Sequence, residues 1–442
     1  MNPPIHDFAA YDFWIKPYGM LTVAGQLRGQ AEFCLFDYLD RLQVTCGLEI
    51  ADCGLAPRAP SNPQSATPNP QSDEWGRGPF PFERIPSPAP LRDIPRYFRR
   101  FGRPRVRFED YLAGHGPFDC AFVQTVMTYW YPGVAEVIED IRRACPGARI
   151  VLGGNYATLC TEHARGLGAD LVIVGSDLQP LWQLLEVTPD PGQPALWEVY
   201  EPLRAGALKL SDGCPFRCSY CSVPKVYAGF RPRPLARVLA ELELLVSRGA
   251  ENVAFYDDAL LFNADKVLIP FLQEVIRRGI HVNLHTPNAL NARFMTADLA
   301  NLMVPAGFKT FYLGFESASR QWQQCTGGKV FSEELAQCVE YLLAAGADPA
   351  NITAYQILGH PDSDIQELEA SMRFVHGLGI RGMLADFSPI PGTPDGEACR
   401  RWVDMDEPLM HNKTAFPVIR LGFEEVNRLK DLQRQLNRDL RA

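Results

Sequence analysis

Three cysteines lie close together near the middle of the chain, in a spacing that suits metal chemistry. Cys214, Cys218 and Cys221 follow the pattern C-x3-C-x2-C, and no further cysteine or histidine lies within twenty residues of them. A closed structural metal site needs four protein ligands, whereas three thiolates leave one coordination position for another molecule. The trio therefore predicts a metal centre with an open position, and the source of the missing ligand is the main question about function.

The other nine of the 12 cysteines are scattered singly along the chain. The first residues lack the basic and apolar regions of a signal peptide, and no apolar run is long enough for a membrane span. We therefore expect a cytoplasmic protein whose scattered cysteines are reduced, mostly buried thiols.

The charge of the chain bears on its partners. The net charge is −9 at pH 7, and no run rich in lysine or arginine stands out. A nucleic-acid binder usually has a basic face, so this composition disfavours nucleic acid and favours a small-molecule substrate.

The second half of the sequence alternates short apolar segments with amphipathic ones. We predict a partial TIM-type barrel of about six βα units over residues 201–395, and an extension at 396–442 whose helix, 421–440, packs outside the barrel or caps it. The cysteine trio follows the first strand, at the carboxyl end where barrel enzymes place their chemistry. The predicted strands are 207–211, 252–256, 281–285, 310–315, 352–358 and 383–387.

Residues 1–200 predict a second α/β domain. Apolar strands at 119–125, 148–154 and 169–175, with a helix at 131–145, indicate a Rossmann-like, doubly wound parallel sheet. Ligands bind such sheets at the carboxyl ends of the strands. The pair Gly153-Gly154 ends one strand, where it either admits a ligand to the backbone or makes a tight turn.

An irregular insertion at about 56–107 interrupts this domain. Its first part is rich in Pro, Ser, Asn and Gln, which is typical of long irregular loops. Residues 95–101 mix aromatic and basic side chains, and we interpret them as a surface helix with solvated arginines rather than an anion-binding site.

The cysteine motif, with aromatic Tyr220 just before its third cysteine, resembles the signature of the radical S-adenosylmethionine (radical SAM) superfamily. The resemblance extends over the predicted barrel, because later strands end in segments similar to those of the family in the same order. These segments are Phe255-Tyr256-Asp257-Asp258, His285-Thr286-Pro287-Asn288, Gly314-Phe315-Glu316-Ser317 and Leu358-Gly359-His360-Pro361.

The resemblance implies a set of cofactors and contacts. The three cysteines would bind three irons of a [4Fe–4S] cluster, and S-adenosylmethionine would chelate the fourth. One electron, from a donor such as flavodoxin or ferredoxin, would then yield methionine and a 5′-deoxyadenosyl radical. The side chains implied to contact S-adenosylmethionine are Tyr220, Asp257, Asp258, Asn288 and Glu316.

The N-terminal half resembles the cobalamin-binding domain that precedes many radical SAM barrels. The resemblance implies that Thr125, Thr128, Gly153 and Gly154 line the pocket for the corrinoid tail. The motif Asp-x-His-x-x-Gly is absent, since the chain reads Asp-Tyr-Leu-Asp-Arg-Leu at 37–42 and has no histidine there as a lower cobalt ligand. Both a cobalamin-binding domain and a degenerate structural domain fit these residues.

Several functions follow. The leading one is cobalamin-dependent methyl transfer to an unactivated carbon of a small organic molecule. A second is a cobalamin-independent radical rearrangement or oxidation. A third, from another class, is a structural zinc or iron knot closed by His285 or His360. Methylthiotransfer to RNA is disfavoured by the unclustered cysteines and the acidic charge.

Overall fold

The computed structural model describes residues 1–41 and 72–440. They fall into two compact units, Met1–Asp190 with Glu198–Pro202, and Pro191–Trp197 with Leu203–Ala442. A compact unit is not by itself an independently folding domain, so the predicted domain boundaries at residues 200 and 395 stay predictions. The first part of the predicted insertion, up to residue 71, lies outside the described residues.

The described strands are between two and nine residues long. In chain order they are β1 (Ile5–Asp7), β2 (Tyr11–Asp12), β3 (Gly78–Pro79), β4 (Phe82–Arg84), β5 (Arg99–Phe101), β6 (Cys120–Thr125), β7 (Arg149–Gly154), β8 (Leu171–Val172), β9 (Ala205–Leu208), β10 (Ser211–Asp212), β11 (Arg231–Pro232), β12 (Asn252–Phe255), β13 (Asn283–Asn291), β14 (Phe308–Glu316), β15 (Ile352–Leu358) and β16 (Arg381–Asp386).

The described helices alternate with these strands. They are α1 (Tyr18–Gly25), α2 (Arg105–His115), α3 (Tyr131–Ala144), α4 (Asn155–Leu159), α5 (Thr161–Arg165), α6 (Gln179–Leu185), α7 (Val223–Val226), α8 (Leu235–Ser247), α9 (Leu268–Arg278), α10 (Ala297–Met303), α11 (Arg320–Cys325), α12 (Ser332–Ala344), α13 (Ile365–Gly377), α14 (Pro394–Ala398), α15 (Ala415–Leu421) and α16 (Phe423–Asp439).

Six parallel strands of the second unit form one sheet in the order β16-β15-β14-β13-β12-β9. Side chains alternate between the faces of a strand, so each strand has a helix-covered outer side and an inner side. On the outer side Phe255 packs edge-to-face on Phe271 of α9, and Gly206 of β9 abuts Leu245 of α8. Six parallel strands with crossover helices confirm the predicted partial barrel.

The C-terminal helix packs on the outer side of β16, which is an edge strand of this sheet. The Asn437 side chain accepts a hydrogen bond from the Gly382 amide at 3.0 Å and donates one to the Gly382 carbonyl at 2.8 Å. Lys430 pairs with Asp386 at 2.7 Å. Because an open strand edge invites pairing with other chains, this helix protects the sheet.

A three-stranded parallel sheet in the order β6-β7-β8 forms the centre of the first unit. Ile150 and Leu152 face a core shared with α2 and α3, whereas Val151 faces a second core with Ile173 and residues of α1 and α6. Both faces are therefore covered, which confirms the predicted doubly wound α/β sheet.

The prediction of a surface helix at residues 95–101 is wrong. Residues Arg99–Phe101 form β5, the central strand of an antiparallel sheet in the order β1-β5-β4. The Arg100 residue is only 4% exposed, and its guanidinium lies 2.6 Å from Glu136 of α3. Pairing with β1 and β4, which are distant in sequence, overrides the local pattern.

No helix in the described ranges is both long and apolar enough to cross a membrane.

The buried pair of Arg100 and Glu136 predicts a pH-dependent stability. Burial would raise the pKa of Glu136, but hydrogen bonds from His6 and Arg100 outweigh it and lower the pKa from 4.5 to about 2. A depressed carboxylate pKa stabilises the fold above the unfolded value, and this stability is lost as the pH falls from about 4.5 towards 2. Glu136→Gln should therefore lower the free energy of unfolding by about 3 kcal/mol at neutral pH.

Urea denaturation over a pH series measures this effect. The difference between Glu136→Gln and the parent should shrink steadily below pH 4.5. The control is Glu139→Gln on the exposed face of the same helix, expected to change stability little because exposed ion pairs are screened by solvent. A difference that is the same in acid as at neutral pH would contradict this account.

Candidate functional site

The loop that carries the three cysteines is held at both of its ends. It begins after β10, which pairs with β11 in an antiparallel ladder. Arg233 donates two hydrogen bonds to Asp212, at 2.8 and 3.0 Å. Gly213 has φ of +73°, and a Cβ there would lie 2.2 Å from the Gly229 carbonyl oxygen. The two ends of the loop are thus so close that only glycine fits.

The cysteines are partly exposed on this loop and influence one another electrostatically. The Cys221 amide donates to the Cys218 carbonyl at 3.1 Å, and the Val223 amide lies 3.5 Å from the Cys221 sulfur. Burial, with the neighbouring cysteines, raises the pKa of Cys221 to about 11, against the opposing effect of Val223 and Lys329. In the free protein this thiol is therefore protonated near neutral pH, and metal binding must release its proton.

The donor set of three thiols on one loop fits an iron–sulfur cluster by its chemistry. Within the ranges that the structure describes, no three His, Cys, Asp or Glu side chains are arranged to hold one metal ion. Thiolates that each bind a different iron of a cluster do not converge on one point, and soft thiolate ligands suit iron–sulfur clusters. The trio thus meets the requirement for a cluster with three protein ligands.

Neither histidine proposed for a structural metal knot is available. The fully buried His285 has one ring nitrogen 3.0 Å from the Thr310 hydroxyl and the other 2.9 Å from Asn252. The ring nitrogens of His360, also fully buried, lie 2.8 Å from Asp395 and 3.3 Å from Trp322. Closing a metal site with either ring would break bonds of a buried polar group, which disfavours the knot.

The two predicted aspartates lie beside the backbone that leads into the cysteine loop. The Asp257 carboxylate accepts hydrogen bonds from the amides of Leu210 and Ser211 and from the Ser211 hydroxyl, at 2.7 to 3.1 Å. Burial raises the pKa of Asp257 to about 6, against these hydrogen bonds and the cation of Lys209. Asp258 lies 3.5 Å from Lys209. Both aspartates thus hold the loop, and their contact with a cofactor stays a prediction.

The Tyr220 ring packs beside the cysteine loop, and the Asn288 side chain is accessible. The Tyr220 ring is partly buried and stacks on Trp322, with centroids 6.3 Å apart, so it is a packing residue beside the cysteines. The Asn288 side chain is exposed and donates only a long hydrogen bond, 3.3 Å, to the Asp257 carbonyl. A role of either residue towards S-adenosylmethionine stays a prediction.

Glu316 ends β14 in a strained backbone conformation. Its φ is +64°, a region that non-glycine residues enter at a cost of about 1–3 kcal/mol. The residue is 9% exposed, and its carboxylate lies 3.5 Å from Lys329. A strained, nearly buried carboxylate at the carboxyl end of a barrel strand is typical of a functional residue, and contact of Glu316 with S-adenosylmethionine stays a prediction.

Lys329 is the residue that sequence reasoning missed. It follows Gly327 and Gly328, and a Cβ at Gly327 would lie 3.4 Å from the Cys218 Cα, so this loop packs on the cysteine loop. Burial would lower the pKa of Lys329, but Glu316 and the three cysteines outweigh it and raise the pKa. The sequence signal that could have identified Lys329 is the pair of glycines before it, because two glycines permit the close approach of another backbone segment.

In the first unit, three of the four predicted tail-pocket residues meet at the carboxyl end of the parallel sheet. The Thr125 hydroxyl donates to the Gly153 carbonyl at 3.0 Å and accepts from the Ala157 amide at 3.1 Å. Gly154 has φ of +116°. Thr128 is buried in a 3-10 turn that packs on α4. The hydroxyl of Thr125 therefore shapes the glycine turn, and corrinoid contact by these four residues stays a prediction.

Sequence comparison identifies the second unit. Residues 208–375 match the profile of the Radical SAM superfamily. The chain therefore contains a radical SAM domain, and the superfamily predicted from the cysteine motif is confirmed.

Curated relatives match parts of the chain. An uncharacterized methyltransferase of Pyrococcus horikoshii is 26% identical over 42% of this chain and 40% of its own length. The ribosomal protein uS12 methylthiotransferase RimO of Pelobacter propionicus is 30% identical over 33% of this chain and 31% of its own length. The chain thus matches less than half the length of these relatives.

Two solved structures resemble both units in fold. TsrM of Kitasatospora setae, a radical S-adenosylmethionine methyltransferase with cobalamin and a [4Fe-4S] cluster bound, is 16% identical, with a TM-score of 0.57 over 74% of this chain and 82% of its own. OxsB, a cobalamin-dependent radical enzyme, is 13% identical, with a TM-score of 0.50 over 74% of this chain and 54% of its own. At these identities the likeness concerns the fold alone, and it extends beyond the barrel unit.

The glycine turn of the first unit gives a sharp test of its geometry. A Cβ at Gly154 would lie 2.0 Å from the Thr125 carbonyl oxygen, whereas one at Gly153 would have nothing nearer than 3.9 Å. Gly154→Ala should therefore lower the free energy of unfolding by at least about 2 kcal/mol, because clash and positive φ combine. Gly153→Ala is the matched control, with an expected change below about 1 kcal/mol. Equal urea midpoints for the two variants would contradict the close contact described between Gly154 and the Thr125 carbonyl oxygen.

Proposed function

We propose that this protein is a radical SAM enzyme that binds a [4Fe–4S] cluster through Cys214, Cys218 and Cys221 and cleaves S-adenosylmethionine there. The observation that carries the proposal is a loop of three thiols inside the matched domain, while His285 and His360 are engaged elsewhere. When bound, the cluster and S-adenosylmethionine supply one-electron cleavage of a sulfonium to give a 5′-deoxyadenosyl radical.

The residues around the loop have roles that follow from their charges. Lys329 is a cation that faces the three cysteines and Glu316, so it offsets negative charge that thiolates bring into a partly buried site. Glu316 presents a carboxylate to the same space and would accept hydrogen bonds from an ammonium group. Asp257 keeps the entry to the loop rigid, since its carboxylate binds consecutive amides.

For the reaction that follows cleavage, we favour cobalamin-dependent methyl transfer to a carbon of a small organic molecule. Support comes from the doubly wound sheet of the first unit and from a fold shared with TsrM, solved with cobalamin, and with OxsB, solved with aqua-cobalamin. Thr125, Thr128, Gly153 and Gly154 are the residues proposed to accept the corrinoid tail.

Methylthiotransfer is the activity of some relatives and is disfavoured here. The described cysteines outside the trio, such as Cys120 and Cys160, are scattered singly along the sequence, so their spacing does not predict a second set of cluster ligands. Cys46 and Cys53 lie outside the described residues.

Partners beyond the substrate follow from the cofactor. The cluster must receive one electron in each cycle, so we propose a small electron-transfer protein, such as flavodoxin or ferredoxin, as the reductant. The net charge of −9 disfavours nucleic acid as the substrate.

The cluster assignment predicts the effect of losing one thiol. Cys218→Ala should reduce the iron and sulfide content of the anaerobically reconstituted protein to background and abolish reductive cleavage of S-adenosylmethionine. Cys325→Ala, which removes an exposed cysteine of α11, is the control and should keep both. Full cleavage by Cys218→Ala, or roughly one zinc and no iron in the parent protein, would refute the assignment.

Corrinoid binding separates the two radical reactions. We expect the cluster-loaded protein to bind about one equivalent of hydroxocobalamin at micromolar concentrations, measured by equilibrium dialysis and by the corrinoid absorption band. If loaded protein retains no corrinoid under these conditions, the methyltransferase proposal is abandoned in favour of a cobalamin-independent rearrangement or oxidation.

A further inference from the structure

One residue of the cysteine loop is fixed to a carboxylate outside it. Ser219 lies between Cys218 and Cys221, and its hydroxyl donates to Asp395 at 2.6 Å. The backbone repeats the link, since the Asp395 amide donates to the Ser219 carbonyl at 3.2 Å. Asp395 belongs to α14, which follows the last barrel strand. Two bonds therefore tie the loop after the first strand to the segment after the last one.

A buried histidine holds this carboxylate in place. His360 is fully buried, and its Nε2 lies 2.8 Å from the same oxygen of Asp395 that accepts from Ser219. Its Nδ1 faces two donors, the Trp322 indole at 3.3 Å and the Asp362 amide at 3.2 Å. Nδ1 must then be the acceptor, and Nε2 carries the hydrogen that it donates to Asp395.

These contacts leave Asp395 an anion with two donors. The residue is 9% exposed. Since the imidazole is neutral in this arrangement, it orients the carboxylate without cancelling its charge. A negative charge is therefore held one hydrogen bond away from the loop that carries the thiolates.

The same contacts determine which acceptor receives the hydroxyl hydrogen of Ser219. A hydroxyl has one proton to donate, and that of Ser219 is directed to Asp395. It is therefore withheld from any cluster sulfur. Hydrogen bonds to the sulfurs and the net charge nearby are among the factors that set the reduction potential of an iron–sulfur cluster. A fixed anion and a withheld donor both disfavour addition of an electron.

We propose that Asp395 and His360 are positioning residues that lower the reduction potential of the cluster held by the cysteine loop. The inference rests on the proposed function, because it concerns the same cluster. It assigns to Asp395 an electrostatic role and to His360 the orientation of that carboxylate. A low potential suits a cluster that must reduce a sulfonium, which accepts electrons reluctantly.

The test is a reductive titration of anaerobically reconstituted protein, followed by electron paramagnetic resonance. Asp395→Asn should shift the midpoint potential to a more positive value, because it removes the charge and loosens the Ser219 hydroxyl. Ser219→Ala should leave the potential nearly unchanged, since its proton is already withheld. Glu397→Gln removes a charge from the exposed side of the same helix and is the matched control, with little expected change.

A second pair of variants covers the case in which Asp395→Asn does not fold. His360→Leu removes the buried ring that orients the Asp395 carboxylate and should shift the potential in the same direction by a smaller amount. His360→Gln has an amide that can donate to Asp395 and accept from Asp362, so it should restore the parent value. A merely structural role would alter thermal stability without this pattern.

The outcomes separate this inference from the proposed function. If the parent protein takes up no iron and sulfide, both fail. If Asp395→Asn or His360→Leu binds a full cluster with the parent potential, the proposed function stands and the role of Asp395 and His360 is overturned.

Discussion

The central constraint on this structure is that a loop of three thiols must keep its shape with no fourth protein ligand from the described residues to close it. A zinc knot is held by its metal on four sides, whereas this loop has to be held by the protein itself. The ladder of β10 and β11 closes its base, and Asp257 binds the amides of Leu210 and Ser211 just before it. The Ser219–Asp395 pair holds its middle. The surrounding barrel can be understood as the support for these attachments.

Charge is the second requirement, because deprotonated thiols in a half-buried site repel one another and any nearby carboxylate. Lys329, in the loop after α11, offsets this negative charge. Its pKa is raised by Glu316 and the cysteines despite burial. Lys209 plays a similar part at the base, between Asp212 and Asp258 at 3.4 and 3.5 Å. Cations and carboxylates therefore alternate around the cysteine loop, which limits the cost of burying each one.

Much of the architecture could be predicted because local pattern and tertiary structure agree. Ile352–Leu358 is the strand that its apolar spacing indicates, and Phe423–Asp439 is the amphipathic helix expected at 421–440. The failure at Arg99–Phe101 has a physical cause, since that strand exists through pairing with β1 and β4, and its buried arginine depends on Glu136 of a distant helix.

The candidate site was predictable only in part. The spacing of the three cysteines by itself predicts metal ligation, so the sequence identifies them as candidate ligands. Asp257 and Asp258 were expected to face a cofactor, but their orientation depends on hydrogen bonds from backbone that the sequence does not reveal. Lys329 and the His360–Asp395 pair depend on contacts between loops that follow different strands. The spacing of residues along the chain does not predict such contacts.

The central claim is that the cysteine loop holds a cluster whose open iron is completed by S-adenosylmethionine. The most direct measurement is a Mössbauer spectrum of protein loaded with isotopically enriched iron, recorded without and with S-adenosylmethionine. The account predicts a [4Fe–4S] spectrum in which a single iron site changes when the small molecule is added. A spectrum that does not respond to S-adenosylmethionine, or a protein that binds no cluster, would contradict it.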